Sequence, residues 1–312
     1  MRSLVQRTLD AATVDMQAYG GERGTLHLLP SERIFAAIFW RITTAANRGD
    51  SVEEKNGAGA VDGQARRILN VPPAGPAHYP RNFIRQAVCE LRFPTIFEIE
   101  DQRPPASFWK VVRKDFPVHD VLKNVNLGLA SIAQANAHQF RSKQSRWTVV
   151  LRTSAITLET SRYDSFEEFE RQLSTVVEAA KQTIDSDFFT RVGLRYINML
   201  PCAPGEVDGW VNPSLIGPLA QGVYGDVEEH AQQVRGSTDC GGYFFQHGIG
   251  ADGGPSGRKG YILDFDFYRE EVGVEEAMAT VRRLHDLEFC MFTWALGDKA
   301  HVFLDPPKKG SK

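Results

Sequence analysis

Oily and ionic side chains alternate every two residues in several segments of this chain, and that pattern constrains its fold more than any other feature. Between Arg191 and Leu200, Val192, Leu194, Tyr196 and Leu200 fall on one side, with Arg191, Gly193 and Arg195 on the other. A β-strand sends successive side chains to opposite faces, so this segment reads as a strand with one face in a core and one face polar. Arg85 to Phe93 reads the same way. Ala87, Cys89, Leu91 and Phe93 oppose Gln86, Glu90 and Arg92, and Pro94 ends the run. Arg146 to Arg152 turns Trp147, Val149 and Leu151 inward, and Ala155 to Thr160 follows after a short turn, which predicts an antiparallel hairpin. Tyr261, Leu263, Phe265 and Phe267 share one side of a further strand, with Asp264 and Asp266 on the other.

Between these runs the period changes. Ser165 with Glu168 forms a capping-box pattern, and Phe166, Phe169, Leu173, Val176, Val177, Ala180 and Ile184 then recur as one helical stripe. A second long helix is expected from Val274 to Leu296, and shorter ones after Pro104-Pro105 and over Pro213 to Ala220. Val234 and Tyr243 to Gln246 read as strands of a second sheet region, Gly248 to Gly260 as a glycine-rich hairpin loop, and His301 to Leu304 as an edge strand. Strict β-α-β-α alternation is missing, which argues against a doubly wound parallel sheet. The predicted class is α+β: a twisted, mainly antiparallel sheet with amphipathic helices on one face. The runs Arg146–Leu200 and Tyr243–Leu296 suggest two similar halves, about 78–204 and 205–304.

The first 77 residues follow a different pattern. Ile34, Phe35, Ile38, Phe39 and Ile42 predict a short helix, and the polar, glycine-bearing stretch from Asn47 to Gly63 predicts a flexible linker, so residues 1–77 read as an N-terminal extension. Residues 78–304 read as one domain and 305–312 as a disordered tail. The Ile34–Ile42 stretch is about half the roughly 20 residues a membrane span needs. The four cysteines include no C-x-x-C pair, and with no secretory leader ahead of them they read as reduced thiols in a cytoplasmic protein. A net charge of −3 disfavours a nucleic-acid binder, which normally carries a basic excess.

Four stretches carry a resemblance. They are Tyr79-Pro80 to Phe93, Tyr163 to Phe169, Gly193-Leu194-Arg195-Tyr196-Ile197-Asn198, and Leu263-Asp264-Phe265-Asp266-Phe267-Tyr268 with Leu284-His285 downstream. In order and spacing they resemble a sporadically distributed, functionally uncharacterised bacterial protein family of roughly 250 residues, a single-domain length. The resemblance covers about residues 78 to 304, and Leu-Arg-Tyr-Ile-Asn is its most specific part. It implies one folding unit and brings no catalytic residues with it.

Beside the plain reading of a solvated face whose charges pair among themselves, two functional readings compete for the polar strand sides. In the first, Glu90, Arg92, Arg152, Arg191, Arg195, Asp264 and Asp266 share one charged sheet face that binds a partner protein or an anionic ligand without catalysis. Cross-strand ion pairs contribute only about 0.2–1 kcal/mol each, so stability alone is a weak reason to assemble so many. In the second, Asp264 and Asp266, about 7 Å apart along a strand, hold a divalent cation in a metal-dependent hydrolase or nuclease. The first reading requires no cofactor. His285 with Glu288, and Cys240 with His247, are further pairs with the right chemistry for orientation or nucleophilic work. Trp109, Trp147, Trp210 and Trp294 read as core anchors.

Overall fold

A computed structural model of the chain describes residues 69–74, 79–127, 132–251 and 259–305. The predicted helix around Ile34–Ile42, the Asn47–Gly63 linker and the tail beyond Asp305 lie outside these residues. Apart from Ala251, the described residues fall in one compact unit.

Its centre is a nine-stranded antiparallel sheet in the order β2-β3-β4-β5-β1-β6-β9-β8-β7. The strands are β1 (Ile84–Arg92), β2 (Val118–Leu127), β3 (Ile132–Arg141), β4 (Trp147–Arg152), β5 (Ala155–Thr160), β6 (Phe188–Leu200), β7 (His230–Ser237), β8 (Gly242–Ala251) and β9 (Lys259–Gly273). The helices among the described residues are α1 (Ala106–Val112), α2 (Phe166–Lys181), α3 (Pro213–Ala220), α4 (Ala277–Ala295) and α5 (Asp298–Leu304). The α+β class read from the alternation is the class observed. The strands of both predicted halves lie in this one sheet.

One face of the sheet is the core. Cys89, Leu91, Val149, Leu194 and Phe265 are fully buried there with Phe169 and Leu173 of α2 and Val281 and Leu284 of α4. Phe245 and Phe265 stack with centroids 4.7 Å apart, and Trp147 meets Phe169 at 5.7 Å. Phe108 and Trp109 of α1 cover Phe140 of β3 on the same face. Burying a large apolar side chain is worth about 1.5–3 kcal/mol, and this face carries most of them. Ser165 caps α2 as its pattern requires, its hydroxyl accepting from the Glu168 amide at 3.3 Å.

Two local expectations need correction, and two strands come without a sequence signal. His301 to Leu304 is not an edge strand but the end of α5, where Ala300 and Leu304 are buried and Phe303 stacks on Phe83 at 5.1 Å. A short apolar run fits either period, and packing on Phe83 selects the helix. Of the Gly248 to Gly260 loop, Gly248 to Ala251 belong to β8 and Lys259 and Gly260 to β9, while 252–258 lie outside the described residues. At Gly248 a Cβ would stand 1.8 Å from the His230 carbonyl oxygen, so only glycine lets β7 approach β8 there. Finally, β2 and β3 had no forecast. Asn, Gln, His and Ala dilute their alternation, so nothing in VHDVLKNVNL or IAQANAHQFR marks a strand.

Candidate binding face

On the side of the sheet away from α2 and α4, register sets the charged residues in cross-strand rows. One row runs Arg152, Ala155, Arg92, Arg191, Glu270 and the next Val150, Thr157, Glu90, Gly193, Tyr268. A third runs Thr148, Glu159, Val88, Arg195, Asp266, and Asp264 stands one row further, opposite Ile197. All seven residues anticipated from the alternation therefore project from one face.

They pair along diagonals rather than straight across. Arg195 donates from Nε and Nη2 to the two oxygens of Asp264, at 2.8 and 2.7 Å. Arg191 lies lengthwise over Gly193, where a Cβ would come within 2.6 Å of its Nη1. From that slot Nη2 reaches both oxygens of Asp266 at 2.9 Å, and Nη1 reaches Glu90 at 3.0 Å. The Arg191 guanidinium also lies 4.5 Å from the centre of the Tyr268 ring, a cation–π contact. Arg92 closes the network through Nε on Glu90 at 2.6 Å. Gly193 is thus the space Arg191 requires, and Tyr268 is the wall of that space. The bare alternation marked the gap without showing what fills it. Arg152 is on the face but outside this network, acting by charge on Glu159, which takes a bond from Gln86 at 3.0 Å.

Exposure is graded across the network. The Asp264 side chain is 2% exposed, Arg191 16% and Arg92 53%. Burial on its own would make Arg195 easier to deprotonate. The Asp264 charge and its two bonds, backed by Asp266 and Glu90, reverse that and hold it firmly cationic. Burial pushes the Asp266 carboxyl up, and Arg191 and Arg195 pull it back. Gln86 Oε1 and Gln246 Nε2, both on buried side chains, have no hydrogen-bond partner.

Asp264 and Asp266 are each occupied by an arginine, so a cation would have to displace a guanidinium to bind them. Among the described residues no three His, Cys, Asp or Glu side chains are arranged to hold a metal ion. The other forecast pairs come apart. His285 stacks on Phe166 at 3.8 Å and shares a hydrogen bond at Nδ1 with the Tyr196 hydroxyl, 3.2 Å away, while neither Glu288 oxygen has a well-formed partner. Burial lowers His285 to about 4. His247 shares a hydrogen bond with the Tyr261 hydroxyl at 2.7 Å and is likewise lowered to about 4; it lies in β8, about 17 Å of strand beyond Gly242, while Cys240 lies in the turn before that strand. The alternation gave no sign of a stacked pair, His119 and His138, under Trp109. His138 donates from Nε2 to the Ile99 carbonyl, which leaves Nδ1 to accept from His119 Nε2 at 3.1 Å. No family model matches the chain, and no curated protein matches it.

Proposed function

We propose that this is a non-catalytic interaction protein that holds a partner protein on the charged face of its sheet. The observation that carries the reading is the closed Arg92–Glu90–Arg191–Asp266 network beside Arg195–Asp264. Three arginines meet three carboxylates there, so the surface is fixed in pattern and nearly neutral in sum. An anionic small ligand would find the Arg191 and Arg195 guanidiniums already taken by carboxylates, with only Arg92, bound through Nε alone, open to it. A protein surface with its own alternating charges can match the pattern, and electrostatic complementarity of that kind selects partners more than it adds affinity. Arg92 is half exposed and reaches furthest into solvent, which suits it to contact the partner. The four unpaired cysteines suit a reducing compartment, and on that ground we assign the protein to the cytoplasm. Among the described residues no helix is long and apolar enough to cross a membrane.

The test uses Arg92→Glu and Arg195→Gln beside wild type in affinity capture from the source cells, with thermal melts to confirm folding. A protein captured by wild type and lost with folded Arg92→Glu supports the reading. Capture of the same proteins in equal amounts by all three overturns it.

A further inference from the structure

β7 ends the sheet, paired with β8 along one edge only. Ala231 to Arg235, its whole middle, are exposed. An open strand edge offers a row of unpaired N–H and C=O groups and is normally guarded by charge, proline or a covering element. The opposite edge strand, β2, carries Asp120 and Lys123 in mid-strand, whereas β7 (HAQQVRGS) has a single charge, Arg235, and no proline. Of the seven exposed large apolar side chains among the described residues, Val234 at 43% lies on β7, and Val223 at 66% and Tyr224 at 58% precede it along the chain.

The charges nearest this edge select the occupant. Glu229 precedes β7 and is exposed, and Arg235 lies over Phe244 at 4.8 Å. In an antiparallel pair of two identical strands, residues facing each other must point their backbone groups the same way, so only registers centred on a residue are allowed. The register centred on Gln232 sets Arg235 of each copy opposite Glu229 of the other. One twofold contact thereby forms two opposite-charge pairs, which is self-complementary chemistry.

We infer that the protein forms a twofold dimer by antiparallel pairing of β7 with β7 of a second copy, centred on Gln232 and fixed by Arg235–Glu229 pairs. The two nine-stranded sheets then become one. This contact does not involve the charged face and stands independently of the proposed function.

Sedimentation velocity of the full chain over about two decades of concentration tests it. Wild type is expected to pass from monomer to dimer. Glu229→Arg and Arg235→Glu, each creating two like-charge pairs, should weaken the dimer about tenfold or more. Glu229→Gln should fall between them and wild type, and Glu229→Arg with Arg235→Glu in one chain should restore association. Both positions are exposed, and thermal melts confirm that each variant is folded. A wild type that stays monomeric, a dimer indifferent to both reversals, or a double variant that stays as weak as the singles would each overturn the inference.

Discussion

At the scale of residues, Arg191 and Gly193 act as one unit. Gly193→Ala would push a methyl into the guanidinium slot, so Arg191 must give up Asp266 or Glu90. The expected loss is about 1.5–3 kcal/mol, the range for a charge-assisted bond. In an Arg191→Ala background the same change should cost little, a coupling that a double-mutant cycle in urea reads directly. Equal costs in both backgrounds would refute the coupling. Arg195 and Asp264 behave differently because Asp264 is almost wholly buried. Arg195→Leu strands a carboxylate and should cost roughly 3–5 kcal/mol, whereas Arg195→Leu with Asp264→Leu should recover most of it. The alternation identified which residues share the face, since period two fixes sides. It could not reveal that Arg191 bypasses Glu270 opposite it for Asp266, because diagonals depend on register and on the space left by Gly193.

At the scale of elements, α4 carries a mismatch. Leu284, Leu287 and Met291 are in the core, and Glu288 among them is 1% exposed. Burial first, then the Asp266 charge, pushes its carboxyl well above the usual 4.5, and the nearby Phe267 backbone gives only partial relief. The native state therefore keeps a proton that the unfolded chain releases above about pH 4.5, and stability falls with rising pH by up to about 1.4 kcal/mol per unit. His247 and His285 act oppositely. Both are lowered to about 4 from 6.5, so between those values the unfolded chain binds more protons and stability rises with pH. An unfolded imidazole is still half protonated at pH 6.5, so the Glu288 slope stands without theirs only about one pH unit higher. Glu288→Gln should steepen the rise with pH below 6.5 and flatten the decline at the alkaline end, as urea midpoints taken across both ranges will show. A wild type without the decline would remove the premise. At the level of elements the sequence was uneven. The α2 cap and stripe were plain in Ser165, Glu168 and the apolar series, while β2 and β3 were hidden by polar composition and α5 by brevity.

At the scale of the whole molecule, β1 sits between β5 and β6, and β6 between β1 and β9. These four strands, β1, β5, β6 and β9, hold most of the sheet's buried side chains, so their amides should exchange slowest and those of β7 fastest among the strands. In concentrated solution every second β7 amide should slow as well if the sheets join. Hydrogen exchange at two concentrations reads both, and uniform protection across the sheet would contradict the ranking. The antiparallel class was evident from chain order, because no long crossover separates the predicted strands of the hairpin. Strand order was not, since nothing local in Ile84–Arg92 says that its partners come from Ala155–Thr160 and Phe188–Leu200. That placement has a cost during synthesis. The ribosome delivers β1 before either neighbour, so it must wait with two sticky margins, and β6 must wait in turn until β9 has cleared the exit tunnel. Chaperone demand should therefore be highest while the middle of the message is being read.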